Sequence, residues 1–174
     1  MGEYGNYPFG LRDVKLTNLA GTTQVDLPAG LVLRFMERVR TEEVPLEDGD
    51  REVYTRLDAV DWELEAGGIS LEAYALMTGR TATVAGTTPT RTTTVAGNRG
   101  EQYPWFKIYG RSLGDGADDI HCRLARCKVT RALQGEFGHG KFWISKCAGI
   151  AVDDGTNGVY VFVQHETGEA LPAS

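Results

Sequence analysis

From Val60 to Ala66 the chain reads Val-Asp-Trp-Glu-Leu-Glu-Ala, an unbroken alternation of apolar and acidic side chains. Only an extended strand sorts such a stretch cleanly, because successive side chains in a strand point to opposite faces. Val60, Trp62, Leu64 and Ala66 then form one apolar face, and Asp61, Glu63 and Glu65 stand in a row on the other, with Ala59. The pattern predicts a half-buried strand over 53–66 whose acidic face meets water at an outer surface or a wet channel. Gly67-Gly68 interrupts it. Residues 70–79 then read as a helix, with Ser70 placed to cap its start, Leu71, Tyr74, Ala75 and Thr78 sharing a face, and Gly79 placed to end it. A helix of about nine residues is not stable alone, so it must lie against a sheet.

The remaining apolar segments are strand-like. Residues 11–17 alternate, and 31–40 set Leu31, Leu33, Phe35 and Val39 against Arg34, Arg38 and Arg40. Further strands are expected over 103–111, 119–131, 140–153 and 158–166, joined by turns at 113–116, 132–135 and 153–158. Between 80 and 100 the segment Thr81–Gly86 is echoed by Thr92–Gly97, and Thr87-Thr88-Pro89-Thr90 lies between the copies, which predicts a hairpin. Residues 1–10, with three aromatics, three glycines and a proline, read as an extended arm. Thr41 to Arg51 reads as a polar loop around Pro45 and the turn Glu47-Asp48-Gly49-Asp50. The expected fold class is mainly β: a single β-sandwich or barrel-like domain over residues 1–174 with one short flanking helix.

Charge is unevenly distributed. Residues 37–65 hold eleven acids against four bases, more than the net −6 of the whole chain, whereas Arg123, Arg126, Lys128 and Arg131 lie within nine residues free of acids. Opposite segments of this kind attract one another between copies and favour head-to-tail contacts. The acids available to such a contact are Glu42, Glu43, Glu47, Asp48 and Asp50. No apolar run approaches the length of a bilayer span, and the start of the chain has neither the basic nor the apolar part of a secretory signal, so synthesis and folding in a cytoplasm are expected. Three cysteines, Cys122, Cys127 and Cys147, fall among strand residues and are expected to be buried thiols.

Catalytic constellations are not legible. Cys122 and Cys127 stand five apart on one strand and so point to opposite faces unless a bulge intervenes. No metal site is therefore expected from His121, Cys122, Cys127, His139, Cys147 and His165, and no cofactor. Gly135, Gly138 and Gly140 lie between strands rather than opening a helix, unlike a dinucleotide fingerprint. Asp61, Glu63 and Glu65 share one strand face and lack the facing partner that glycoside hydrolysis needs. Trp62, Trp105 and Trp143 are expected in packing. No catalytic residue is assigned.

The order of elements is more specific than any motif. The stretch VDWELEAGGISLEAYALMTG, the Thr-rich hairpin, YPWFKIYGR, HCRLARCKVT and KFWISKCAGIAVDDGTNGVYVFVQHET together resemble tail tube (major tail) proteins of long non-contractile bacteriophage tails. The resemblance covers residues 10–172 and is sharpest over Val60–Gly79. It implies a β-sandwich-like subunit of the virion tail, six to a ring, with rings stacked into a tube through which double-stranded DNA passes without sequence preference. Implied partners are further copies of the chain and the tape-measure, distal tail and terminator proteins, without membrane insertion. On that reading the loop 41–51 joins rings, Arg123, Arg126, Lys128 and Arg131 receive it, and Asp61, Glu63 and Glu65 line the lumen. Alternatives are another ring-forming tail protein, such as a contractile-tail inner tube, distal or terminator protein, or a β-sandwich ligand-binding module using Trp105 and Tyr109.

Overall fold

The computed structural model describes residues 9–27, 30–45, 51–67, 70–113, 119–131, 133–135, 144–166 and 168–171. Period-two alternation in almost every segment makes the chain mainly β. The strands are β1 (Phe9–Asn18), β2 (Gln24–Leu27), β3 (Gly30–Pro45), β4 (Arg51–Gly67), β5 (Ala82–Ala85), β6 (Thr92–Val95), β7 (Phe106–Leu113), β8 (Asp119–Val129), β9 (Gln134–Gly135), β10 (Ile144–Ala151) and β11 (Tyr160–His165). Helix α1 (Leu71–Thr78) follows β4. Among the described residues nine strands form one antiparallel sheet in the order β2-β1-β7-β8-β10-β4-β3, with β11 on β8 and β9 on β10, while β5 and β6 form the expected hairpin.

Strand β8 organises the sheet. One edge pairs with β7; the other is divided, Cys127–Val129 pairing with β10 and Asp119–Leu124 with β11. The apolar face of β4 is buried as its alternation requires, with Val60, Trp62, Leu64 and Ala66 all within 3% of full burial. It packs on Val14 and Leu16 of β1, Phe106 and Ile108 of β7, and Leu124 and Cys127 of β8. Each such side chain removed from water contributes about 1.5–3 kcal/mol. The Trp62 and Phe106 rings meet edge to face with centroids 5.8 Å apart. Leu33 of β3 lies over Gly110 of β7, and β3 touches β1, so the sheet folds back on itself around this core.

The caps of α1 are those its sequence specifies. Ser70 Oγ accepts from the Ala73 N–H at 3.1 Å, and Gly79 takes the left-handed conformation at φ 74°. Its buried side differs from the expected stripe, consisting of Ala73, Ala75, Met77 and Thr78. Small residues let the helix sit low, so that Met77 Sδ comes within 3.8 Å of Cys147 Sγ.

Two turns are corrected. Thr41–Pro45 continues β3 and Arg51 begins β4, so both ends of the expected loop over 41–51 are strand; residues 46–50, which include Glu47, Asp48 and Asp50, and the arm residues 1–8 lie outside the described residues. Cross-strand pairing of Glu43 with Val53 and Glu42 with Tyr54 turns a charge-rich segment into a ladder, and Pro45 is tolerated at the end of an edge strand. Gln134–Gly135, expected in a turn, pairs with Lys146 and Ser145 of β10, and β2 was not anticipated.

Candidate assembly surface

Among the described residues, strand β4 pairs with β10 only from Val60 onward, and β3 pairs only with β4. Beyond these points, residues 38–45 and 51–59 form a two-stranded arm whose outer edges pair with no other strand among the described residues. It buries almost nothing: every described residue from Arg34 to Pro45 and from Arg51 to Asp58 is exposed. A step in register, two residues on β4 for one on β3, places Asp58 as a bulge and sets Leu57 opposite Val39. Val39, Leu57 and Val53 thereby continue the Phe35 face, while Val44 and Tyr54 lie on the other. These apolar side chains are 41–57% exposed. Ion pairs Arg51–Glu43 (2.8 Å) and Arg56–Glu42 (3.5 Å) cross the ladder between β4 and β3, and Arg40–Glu42 (3.1 Å) runs along β3. Tyr54, hydrogen-bonded to Glu52, has its pKa raised.

At the base of the arm Phe35 meets β11. Its ring lies 5.2 Å from Phe162 and 6.4 Å from Tyr160, and the Tyr160 hydroxyl donates to Glu37, which raises the phenol's pKa. Phe162 and Val163 remain more than 40% exposed. Sequence reading missed this cluster because its members come from strands more than 120 residues apart.

Asp61, Glu63 and Glu65 do share one face, as expected, but they are half-buried and engaged. Asp61 accepts from Arg38 at 2.7 Å, Glu63 from Arg34 at 3.4 Å, and Glu65 pairs with Lys146 of β10 at 3.2 Å. Arg131 lines the same hollow as Glu63, Asp61 and Arg34. The row is therefore a charge-balanced face and not the bare acidic strip that its own strand suggests, because Arg34 and Arg38 of β3 and Lys146 of β10 each reach one of its carboxylates.

The basic segment divides. Arg131 joins that balanced face, whereas Arg126 and Lys128 lie over the ring of Trp105 at 4.7 and 5.3 Å. Arg123 is near Asp154, whose carboxyl is held at about 2 chiefly by the Asn157 side chain and by the Asn157 and Thr156 N–H groups. Trp105 is covered by two cations and Tyr109 is only 7% exposed, so neither ring is a free stacking platform. Trp143 and His139 lie outside the described residues.

The opposite-face expectation for the cysteines is overturned. Between Ile108↔Leu124 and Phe106↔Cys127 the register advances three residues on β8 for two on β7, so a bulge intervenes and both Cys122 and Cys127 face the core. Burial pushes Cys122 up to about 11, Cys147 up to about 12, and Cys127 well above its ordinary value. At the far end of β8 a polar cluster forms instead. Asp119 is fully buried, and its Oδ2 accepts from Arg111 Nε at 2.7 Å and the Glu169 N–H at 2.8 Å, with His121 Nε2 at 3.3 Å. Desolvation opposes ionisation of this carboxyl, but these contacts outweigh it and lower the pKa. The His121 and His165 rings lie 4.5 Å apart on paired strands. The sequence signal was Asp119 and His121 two apart on one strand face. Scanned against protein-family models the chain matches none, and no curated protein matches it.

Proposed function

We propose that the chain is a structural subunit of a phage tail tube, assembling with copies of itself into stacked rings around a DNA channel. The observation that carries this reading is the β3–β4 arm. A two-stranded ribbon is marginal in water without a hydrophobic face to pack on. Here it offers edges that pair with no other strand among the described residues and apolar side chains on both faces, features that join sheets between molecules. A second copy is the natural occupant, because β2 and β3 are themselves sheet edges to which a strand can add. The exposed Phe35–Phe162 cluster extends the same surface.

A channel lined by Asp61, Glu63 and Glu65 acquires a modified rationale. Arg34, Arg38 and Lys146 on that face each already have a carboxylate, so phosphate must compete with existing ion pairs there, and passing DNA is weakly held. Negative-stain microscopy of concentrated protein tests the proposal: open-ended hollow tubes support it, closed rings of fixed size point to a terminator-type protein, and a persistent monomer removes it. Deleting residues 43–49 is expected to leave a folded monomer that does not polymerise.

A further inference from the structure

The cluster at the N-terminal end of β8 has the composition and spacing of a metal site. Asp119, His121 and His165 each offer a ligand atom, all within 4.8 Å of one another. His121 Nε2 lies 3.3 Å from Asp119 Oδ2 and 3.2 Å from the Glu169 carbonyl oxygen. Donors around a tetrahedral zinc stand about 3.4 Å apart, given bonds of about 2.1 Å, a spacing that one atom from each of the three residues approaches at 4.8 Å or less. His165 is half-buried on the edge strand β11, where a small rotation of its ring brings it closer. Glu169 Oε2, 3.7 Å from His165 Nδ1 and largely exposed, can swing in as a fourth donor.

Two further observations point to a cation. Asp119 Oδ1 is buried and accepts no hydrogen bond among the described residues, although Oδ2 is crowded with donors. Such a carboxylate is oriented through one oxygen and free to ligate through the other, the arrangement that outer contacts impose on metal ligands. The carboxylates of Asp13 and Asp119 also share one guanidinium, that of Arg111, and the Glu169 carboxylate stands beside His165, so three carboxylates meet one guanidinium in this cluster and a dication balances it.

We infer that Asp119, His121, His165 and Glu169 bind a first-row transition dication, of which zinc is the best fit to two imidazoles and carboxylate oxygen. The ion fastens residues 168–171, including buried Leu171, onto β8 and β11. This inference is independent of the tail tube reading.

Calorimetric titration of zinc into the full, chelator-stripped chain tests it. One ion per chain is expected, with a higher melting temperature and slower amide exchange over 168–171. His165→Ala and His121→Gln should each weaken binding at least about tenfold, and His139→Ala should leave it unchanged. His165→Ala, on an edge strand, keeps the test decisive should the buried His121 variant fail to fold. No saturable binding in the parent chain, undiminished binding in the His165 variant, or a thiolate charge-transfer band with cobalt in place of zinc would each overturn the assignment.

Discussion

The indole of Trp62 lies directly against the backbone of Gly149: a β-carbon there would stand 2.6 Å from Trp62 Cζ2 and 1.9 Å from the Lys128 carbonyl oxygen. Glycine is required because β10 passes between β4 and β8 with no room for a side chain above the largest residue of the core. Gly149→Ala should therefore cost at least the upper end of the about 1–3 kcal/mol typical of overpacking, since one clashing partner is backbone. A thermal melt indistinguishable from the parent would show that the strands do not approach so closely.

The arm separates folding from assembly. Leu57→Glu or Val53→Glu replaces an exposed apolar side chain that touches no core, so monomer stability should change by no more than about 0.5 kcal/mol. Polymerisation should be lost, because burying the new carboxylate against a neighbour is costly. Chemical denaturation gives the first quantity and light scattering with microscopy the second. Tubes of normal length from either variant would remove this face from the interface.

Reversing Glu63 to Lys breaks its contact with Arg34 and leaves two bases side by side. Both partners are substantially exposed, so the cost to the subunit is within about 1 kcal/mol. In a tube the same change adds repeated positive charge to the wall and should slow or arrest DNA passage, more strongly at low salt. Delivery unaffected at every ionic strength would place this face away from the lumen.

Cys147 gives the fold an alkaline limit. Burial, reinforced by the charge of Glu63, raises its thiol from 9.0 to about 12. The unfolded chain ionises this thiol above pH 9 while the folded chain does not, so unfolding releases a proton and stability falls as pH rises from 9 towards 12. Below pH 9 the contribution is fully present. Denaturation curves across that window should show a downward slope that becomes shallower in Cys147→Ala, and an unchanged slope would mean that the thiol is solvated.

What could be read from the sequence was local. The alternation around Trp62, the Ser70 and Gly79 caps and the hairpin turn at 87–90 each depend on a few consecutive residues, and each forms where expected. What could not be read depends on pairing. Asp61 is an acid on its own strand, but only register with β3 reveals that Arg38 neutralises it. Thr41–Pro45 looks like a loop until Glu43 finds Arg51 across the ladder. His121 and His165 are unremarkable 44 positions apart in the chain, and β11 alone brings them together.

The bulge between Leu124 and Cys127 decides more than where two thiols point. A strictly regular β8 would turn either Leu124 or Cys127 away from the interior, and with it the half of the strand beyond. One additional residue lets a single strand serve two neighbours, β10 and β11, while keeping its greasy side inward along its whole length. Removing one residue there would turn half of β8 inside out, exposing Cys127 and Val129 or Leu124 and Cys122, and the two lobes of the sheet would lose their common seam.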